Sequence, residues 1–322
     1  MRLMVTGGAG FIGSNFVHYW SQQRPNDTIV VYDKLTYAGN PANLAGLDVE
    51  LLVGDITDTE HLAESMRAAR VDCVINFAAE SDNSRAVRDP RPFALTNVLG
   101  TQSLCEAARL SDVPRVHHVS TCEVFGDLAL DDPSTFSEDS PYRPNTPYAA
   151  SKAGADHFVL AYARTFGLGV TVSRSANNYG PRQYPEKNPP LFIVNALRGR
   201  KLPVYTNHWH RREWMSVVDH CAALRTILLE GTPGRTYNIG TGDERSAMDM
   251  ALFVLEALGL DRDRHIEIVA DRAGHDRRYL LDSSALRSEL GWAPHTTFRE
   301  GMAATVRWYR DNPEWWEPLV SR

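Results

Sequence analysis

Residues 3–13 read LMVTGGAGFIG, a short apolar strand followed by glycines at positions 7, 10 and 13. Glycine lets the backbone turn tightly and approach a pyrophosphate, and the helix that follows points its positive dipole end at the same place. A glycine triplet alone is a weak signal, so the surrounding chain has to support it. The residues predicted here to contact a dinucleotide are Gly7, Gly10, Phe11, Ile12 and Gly13.

The next apolar run, residues 29–32, ends at Asp33, about 20 residues after the last glycine. A carboxylate at this position accepts hydrogen bonds from the adenosine ribose and repels a 2′-phosphate, which indicates NAD rather than NADP. Apolar runs at 51–53, 74–77 and 116–119 also end in loops. Strands that alternate with helices in this way predict an α/β fold with a Rossmann-type, doubly wound parallel sheet.

The predicted sheet does not use the whole chain, and a second region follows it. We expect an NAD-binding Rossmann domain over residues 1–178 plus about 213–240, where a helix and strand return to the sheet. A smaller α/β substrate domain is expected over about 179–212 plus 241–322.

Composition excludes several classes of function. The net charge of the 322 residues is -6, which argues against a general nucleic-acid surface. No apolar stretch approaches the roughly 20 residues that span a bilayer, and the run after Arg2 is too short for a secretory signal, so we expect a cytoplasmic protein. The four cysteines lack C-x-x-C spacing and the eleven histidines lack ligand spacing, so no metal is predicted.

Tyr148 and Lys152 form a Y-x-x-x-K pair within a good helix-forming sequence. Their spacing places both side chains on one helical face. A nearby ammonium favours phenolate, so Lys152 is expected to lower the pKa of Tyr148 from its usual value near 10. The phenolate can then remove a hydroxyl proton as hydride leaves for a nicotinamide. The pair is common by chance, but the glycine turn and Ser120-Thr121 make it specific.

With these motifs the chain resembles the extended short-chain dehydrogenase/reductase family, and within it the dTDP-glucose 4,6-dehydratases, over nearly its whole length. The segments that carry the resemblance are residues 6–13, 32–40, 78–81, 96–101, Asn177-Asn178-Tyr179-Gly180-Pro181, Pro185-Glu186-Lys187, 274–279 and 289–292. The Asn-Asn-Tyr-Gly-Pro and Pro-Glu-Lys segments are much narrower than the general family pattern. The resemblance implies an NAD-dependent hydro-lyase that acts on a nucleotide-diphosphate sugar.

The resemblance also implies roles for single residues. Tyr148 would be the base for oxidation at sugar carbon 4, Thr121 would hold that hydroxyl, and Glu123 would take the proton from carbon 5. Water would leave from carbon 6, and hydride would return to carbon 6. The further cofactor contacts that it implies are Lys34, Leu35, Thr36, Asp55, Ile56, Phe77, Ala78, Ala79, Thr96, Tyr148, Lys152 and Asn178. The substrate contacts that it implies are Ser81, Thr121, Asn177, Lys187, Asn188, Pro203, Tyr205, Arg212, Arg272 and His275.

Cys122 departs from the family pattern, in which an Asp between the Thr and the Glu protonates the departing carbon 6 hydroxyl. A thiol, with a pKa near 8.5, is protonated at neutral pH but is a poorer acid than a carboxylic acid. Two hypotheses remain for Cys122: it takes part in catalysis, or it contributes only to packing. Other departures occur at residues 82–86, Asn188, 206–210 and Ala247. All of these departures surround the expected sugar-binding and nucleotide-binding sites, which suggests that the substrate or the outcome of the reaction is altered.

Three alternatives remain open on the sequence. A nucleotide-sugar 5,6-dehydratase would return hydride to carbon 4 and release a 5,6-alkene, and Ser-Thr-Cys-Glu-Val is similar to that type. A nucleotide-sugar 4-epimerase or UDP-glucuronate decarboxylase would need no acid at carbon 6. From another class, the chain could be a non-catalytic NAD-binding module. The resemblance further implies a homodimer formed through helices near residues 95–110 and 148–165.

Overall fold

The computed structural model describes residues 1–271 and 274–320. Over these ranges the strands are β1 (Arg2–Thr6), β2 (Thr28–Asp33), β3 (Glu50–Val53), β4 (Cys73–Asn76), β5 (Arg115–Thr121), β6 (Gly169–Ser175), β7 (Asn177–Tyr179), β8 (Leu202–Tyr205), β9 (Arg211–Ser216), β10 (Thr236–Ile239), β11 (Glu244–Ser246), β12 (Ile266–Val269) and β13 (Arg278–Tyr279).

The α-helices over the same ranges are α1 (Phe11–Gln23), α2 (Thr59–Ala69), α3 (Asn83–Arg88), α4 (Arg91–Phe93), α5 (Thr101–Leu110), α6 (Pro147–Phe166), α7 (Pro190–Leu197), α8 (Val217–Glu230), α9 (Ala247–Leu258), α10 (Arg262–His265), α11 (Ser284–Leu290), α12 (Phe298–Asp311) and α13 (Pro313–Val320). A π-helical segment (Ala94–Gly100) joins α4 to α5, and 3-10 helices cover Pro41–Leu44 and Cys122–Phe125. No helix in the described part of the chain has the length and apolar character needed to cross a membrane.

Seven strands form the central sheet in the order β3-β2-β1-β4-β5-β6-β10, and every neighbouring pair is parallel. Val5 of β1 pairs with Val31 of β2 on one side and Ile75 of β4 on the other. All three side chains are fully buried, as expected for a sheet covered on both faces. This confirms the predicted doubly wound parallel sheet.

Helices cover both faces of this sheet. Phe16 and Trp20 of α1 pack with Leu224 of α8 in the hydrophobic cluster on one face. Met66 of α2, together with side chains of α5 and α6, packs on the other face around Met4 and Val74. Full burial of each such side chain contributes about 1.5–3 kcal/mol. The packing leaves the carboxyl ends of the strands as the edge where a site can form.

A smaller sheet is built around β9, which pairs with β7 and β13 in parallel and with β11 in antiparallel orientation. A separate parallel pair is formed by β8 and β12. Helices α7, α9 and α12 close over these strands in a third hydrophobic cluster, with Phe192, Met250 and Met302 fully buried. After β9 the chain returns once to the central sheet, where β10 pairs with β6 at Thr236–Val172. It then goes back to the smaller sheet, where β11 pairs with β9.

Candidate active site

A cavity of about 530 Å³ opens at the carboxyl ends of the central strands. On this side it is lined by residues at or just beyond the ends of five strands, namely Gly7, Asp33, Phe77, Thr121 and Ser175. On the opposite side it is lined by residues of β8 and β9 from the smaller sheets. Open parallel sheets bind their ligands at this edge, so the cavity is the candidate active site.

The turn after β1 leaves no room for side chains at two of its glycines. Gly7 has φ +69°, and a Cβ atom there would lie 2.5 Å from the backbone nitrogen of Ala78. A Cβ atom on Gly13 would lie 2.3 Å from the carbonyl oxygen of Gly7. The bare backbone therefore lines a concave surface at the N-terminus of α1, which suits a pyrophosphate.

This close approach can be separated from the backbone preference of glycine by a matched pair of variants. Gly167 has φ +70° but nothing lies within 4 Å of a Cβ built there. Gly167→Ala should lower the free energy of unfolding by about 1–2 kcal/mol, the backbone penalty alone. Gly7→Ala should lower it by about 2–5 kcal/mol, because an overpacking penalty of about 1–3 kcal/mol is added, and it should also weaken NAD binding. Urea unfolding measures the free energy of unfolding, and NAD titration measures the affinity for NAD. Equal losses of both quantities in the two variants would contradict the close approach of the backbone at Gly7.

Asp33 is fixed by two backbone hydrogen bonds at the end of β2. Ala9 donates to Oδ2 at 2.9 Å and Leu35 donates to Oδ1 at 2.8 Å. Burial raises the pKa of the carboxyl, and these two N–H groups oppose that shift. A carboxylate accepts about four hydrogen bonds, so capacity remains for ribose hydroxyls.

Among the described residues, Leu35 is the one predicted cofactor contact that does not line the cavity. Its side chain packs against the hydrophobic cluster around β1 and β2, and its N–H group serves the site by fixing Asp33. The other predicted cofactor residues line the cavity: Gly7, Gly10, Phe11, Ile12, Gly13, Asp33, Lys34, Thr36, Asp55, Ile56, Phe77, Ala78, Ala79, Thr96, Tyr148, Lys152 and Asn178. The predicted substrate residues that line it are Ser81, Thr121, Asn177, Lys187, Asn188, Pro203, Tyr205, Arg212 and His275. Arg272 lies outside the described residues.

Tyr148 reaches the cavity from the first turn of α6. This helix starts at Pro147 with Thr146 as its cap, whose side chain accepts a hydrogen bond from the N–H of Ala149 at 3.1 Å. The Thr121 side chain lies close to the Tyr148 hydroxyl and opposes the rise in the Tyr148 pKa. Burial, with the nearby Glu123, raises the pKa of Tyr148, which is the opposite of the expected lowering.

Lys152 lies one helical turn further along α6. Its Nζ donates to the carbonyl of Val119 at 2.8 Å and lies 3.2 Å from Nε2 of His118, so it is directed at β5 rather than bonded to Tyr148. Burial lowers the pKa of Lys152 to about 8, and Asp156 opposes this shift. Burial also keeps the pKa of His118 well below its usual value. With a pKa of about 8, Lys152 is mostly charged at neutral pH, and its spacing of four places it on the same face of α6 as Tyr148.

Cys122 and Glu123 occupy different environments although they are adjacent. Glu123 lines the cavity, and Asn83 donates to its Oε2 at 3.0 Å. Burial and the charge of Asp276 raise the pKa of Glu123. Cys122 is fully buried in a hydrophobic cluster with Phe125 and, within the described residues, is not part of the cavity wall. Burial raises the pKa of this thiol well above its usual value, so it stays protonated.

Several cavity-lining residues were not singled out by the sequence: Asn83, Glu186, His210, Asp276 and Tyr279. Tyr279 donates to Oδ1 of Asn177 at 2.5 Å, and the Arg212 guanidinium lies 4.8 Å from the centre of its ring. Arg212 also donates to the backbone carbonyl of Asp276. Tyr279 and Asp276 thus orient two predicted substrate residues. Both lie in the 274–279 segment, so that segment was the available signal.

The fold also gathers three groups of the kind that bind metals, although the sequence predicts no metal. One potential ligand atom each from His210, Asp271 and His275 lies within 4.8 Å of the others. Nδ1 of His275 lies 2.7 Å from Oδ1 of Asp271, whose Oδ2 accepts from Asn207 at 2.9 Å. Asp271 and His275 are four positions apart, but His210 lies on a distant segment, so sequence spacing does not show that the three meet.

The chain is similar to known proteins over nearly its whole length. The model of the GDP-mannose 4,6 dehydratase family matches residues 4–305. A dTDP-glucose 4,6-dehydratase from Mycobacterium tuberculosis (strain CDC 1551 / Oshkosh) is 48% identical over 322 residues, which cover 99% of this chain and 96% of that protein. The chain belongs to the dTDP-glucose 4,6-dehydratase family.

Solved structures agree with this membership. DesIV, a dTDP-glucose 4,6-dehydratase from Streptomyces venezuelae with NAD and TYD bound, has a TM-score of 0.94 and 47% identity, covering 99% of this chain and 100% of its own. A UDP-glucose 4-epimerase from Thermus thermophilus in complex with NAD has a TM-score of 0.89 and 30% identity, covering 96% of this chain and 99% of its own. The resemblance predicted from the motifs is confirmed, and the higher identity lies with the dehydratase.

Proposed function

We propose that this protein is an NAD-dependent nucleotide-sugar dehydratase that converts dTDP-glucose to the 4-keto-6-deoxy sugar. The observation that carries the proposal is that one cavity is lined both by the Tyr148 phenol, with Thr121 close to it, and by the separate Glu123 carboxyl, which accepts from Asn83 at 3.0 Å. Tyr148 with Thr121 serves oxidation at carbon 4, and Glu123 serves removal of the carbon 5 proton. Family membership supports the same reaction.

The residues around the first turn fit NAD. The turn at Gly7 and Gly13 is a cradle that side chains would fill, and Asp33 is fixed where it can accept from ribose hydroxyls. A carboxylate there disfavours a 2′-phosphate. When bound, NAD accepts a hydride from the sugar and returns it later in the turnover.

The protein groups then have separate tasks. Tyr148 accepts the proton of the carbon 4 hydroxyl, while Thr121 orients that hydroxyl and the Lys152 ammonium stabilises the phenolate. The resulting ketone acidifies the neighbouring C–H bond, so the Glu123 carboxylate removes the carbon 5 proton. General acid–base catalysis of this kind contributes about 10²–10⁴-fold at each step.

The substrate diphosphate is assigned to the side of the cavity formed by the smaller sheets. Arg212 is the leading anchor because a guanidinium matches phosphate oxygens. Its position on β9 is held by Tyr279 and the carbonyl of Asp276. Lys187 and His275 line the same cavity, although Lys187 also donates to the carbonyl of Ser81 at 2.6 Å. Ser81, Asn177, Asn188, Pro203, Tyr205 and Arg272 complete the proposed substrate contacts.

Turnover of dTDP-glucose with NAD tests the proposal, with the product followed by mass spectrometry. Loss of one water is expected. An isomer of unchanged mass would instead indicate a 4-epimerase, and product formed only from UDP-glucuronate would indicate a decarboxylase. NAD binding without turnover of any nucleotide sugar would indicate a non-catalytic module. UDP-glucose, offered in parallel, reports the choice of nucleotide.

A second candidate function rests on Cys122. Its thiol is fully buried behind the cavity wall and stays protonated, so the acid expected for the carbon 6 hydroxyl is missing from this position. A nucleotide-sugar 5,6-dehydratase loses the same carbon 6 hydroxyl and differs in returning hydride to carbon 4, and it is the second candidate because Ser-Thr-Cys-Glu-Val, which contains Cys122, is similar to that type.

The pH dependence of oxidation is expected to follow Lys152. Its pKa is about 8, so the ammonium that stabilises the Tyr148 phenolate is present below that pH and lost above it. Tyr148 must lose its proton to act as the base and burial raises its pKa, so the rate of carbon 4 oxidation should rise with pH up to about 8 and stop rising once Lys152 loses its charge. Stopped-flow measurement of reduced cofactor over a pH series gives the profile. A rate that keeps rising well above this pH would contradict the assignment.

Assembly and location are part of the same proposal. Leu95, Leu99 and Phe158 are between 42% and 47% exposed on the two helical segments expected to pair, which supports a homodimer. Sedimentation velocity tests it, and a monomer at working concentrations would reject it. The four cysteines are all unpaired and buried, which fits a reducing cytoplasm. The division into a Rossmann unit, residues 1–178 plus about 213–240, and a substrate unit is likewise proposed.

A further inference from the structure

Asn83 is held at the cavity wall by a rigid local structure. It is the first residue of α3, and the Asp82 side chain caps this helix by accepting from the N–H groups of Ser84 at 2.7 Å and Arg85 at 3.0 Å. Arg85 is in turn paired with Glu80 at 3.0 Å. The Asn83 side chain is therefore positioned before any ligand arrives.

The preceding residues are fixed from two other elements. Asn97, in the π-helical segment, accepts from the N–H of Glu80 at 2.8 Å and donates to its carbonyl at 2.9 Å. Lys187 donates to the carbonyl of Ser81 at 2.6 Å. The segment that carries Asn83 thus has little freedom to move away from Glu123.

The two ends of the Asn83 carboxamide are in different states. Nδ2 donates to Oε2 of Glu123 at 3.0 Å. Among the described residues Oδ1 has no hydrogen-bond partner, although it is buried. An unpaired buried acceptor at a cavity wall selects a ligand that brings a donor, because burial without a partner is unfavourable. On a sugar, the donor of the right size is a hydroxyl group.

The departing oxygen also needs a proton, and Cys122 is not placed to give one. It packs with Phe125 and Tyr279 behind the wall. Glu123 is the carboxyl that Asn83 contacts directly, and it already takes the carbon 5 proton in the proposed function. Asp276 is the other acidic group near it that lines the cavity.

We propose that Asn83 binds the departing sugar hydroxyl through Oδ1 while Nδ2 holds Glu123, so that this one carboxyl acts as base and then as acid. This deepens the proposed function and rests on it. Glu123 takes the carbon 5 proton, and the C–H electron pair becomes the carbon 5–carbon 6 double bond. The carbon 6–oxygen bond breaks, and Glu123 gives the same proton to the leaving oxygen, which departs as water.

A leaving-group comparison tests the assignment. The two substrates are dTDP-glucose and its analogue with fluorine in place of the carbon 6 hydroxyl, since fluoride has no O–H to donate and leaves without a proton. Asn83→Ala should slow elimination from the hydroxyl substrate about 100-fold but from the fluoro analogue only about 10-fold or less. The remaining loss reflects the less well oriented Glu123. Val87→Ala, an exposed position on the same helix, should leave both rates unchanged.

Equal slowing of the two substrates in Asn83→Ala, as a merely structural role would give, overturns the proposal. It is also overturned if Asp276→Asn, rather than Asn83→Ala, selectively slows the hydroxyl substrate, since Asp276 would then be the acid. Formation of reduced cofactor is measured in the same reactions. Its absence in the unmodified protein would instead mean that the proposed function has failed, so the two failures are distinguishable.

Discussion

Replacing Tyr148 with phenylalanine is expected to slow carbon 4 oxidation by about 10²–10⁴-fold. The substitution removes the hydroxyl that lies close to Thr121 but keeps the ring, which packs edge-on against Phe93 with 6.4 Å between centroids. NAD binding should therefore persist, since the glycine turn and Asp33 are untouched. Stopped-flow formation of reduced cofactor measures the loss directly.

Tyr162→Phe is the matched control for this experiment. Tyr162 lies on the same helix, but its hydroxyl accepts from Gln102 at 2.8 Å and donates to Glu106 at 3.2 Å. Loss of that hydroxyl should leave oxidation unchanged. If Tyr148→Phe oxidised the sugar as fast as Tyr162→Phe does, the proposed base would be wrong.

Replacing Glu123 with glutamine is expected to divide the reaction at its midpoint. Glutamine keeps the shape, and Asn83 can still donate to its side-chain oxygen, but the group no longer accepts a proton from carbon. Oxidation should proceed, reduced cofactor should accumulate, and loss of water should fall by about 10²–10⁴-fold. Rapid quench with mass spectrometry separates the oxidised sugar from the dehydrated product.

The shorter carboxylate of Glu123→Asp provides the comparison. It should retain part of the elimination rate because the base remains, although it is displaced from Asn83. Water loss at the normal rate in Glu123→Gln would show that another group removes the carbon 5 proton, with Asp276 the nearest alternative.

The fold could be predicted from the sequence because its signals are local. The glycine turn at Gly7 and Gly13 marks one strand–turn–helix unit, and the apolar run ending at Asp33 marks the end of the next strand. The parallel order of the strands follows because strands and helices alternate along the chain. The same locality limits what the motif says about Leu35, which is not among the residues that line the cavity. Whether a side chain faces the cavity or the core beside Asp33 depends on the neighbouring strand, which a motif does not specify.

The site was less predictable where charge and burial combine. The Y-x-x-x-K spacing correctly put Tyr148 and Lys152 on one helical face, but spacing does not reveal the desolvation that raises the pKa of Tyr148 or lowers that of Lys152 to about 8. Cys122 was an evident departure from the family pattern, yet only the fold shows that it points into a hydrophobic cluster.

The contact that Asn83 makes with Glu123 also could not be predicted from the sequence. The sequence marked residues 82–86 as unusual, but the contact between Asn83 and Glu123 joins positions 40 residues apart. No periodicity or motif links them, because their meeting depends on the fold placing the first residue of α3 beside the 3-10 helix that follows β5.

The central claim is that hydride taken from carbon 4 returns to carbon 6. Its most direct test is NMR of the product from dTDP-glucose deuterated at carbon 4. We expect deuterium at carbon 6 beside a carbon 4 ketone. Deuterium restored to carbon 4 of a 5,6-alkene would contradict it and establish the 5,6-dehydratase instead.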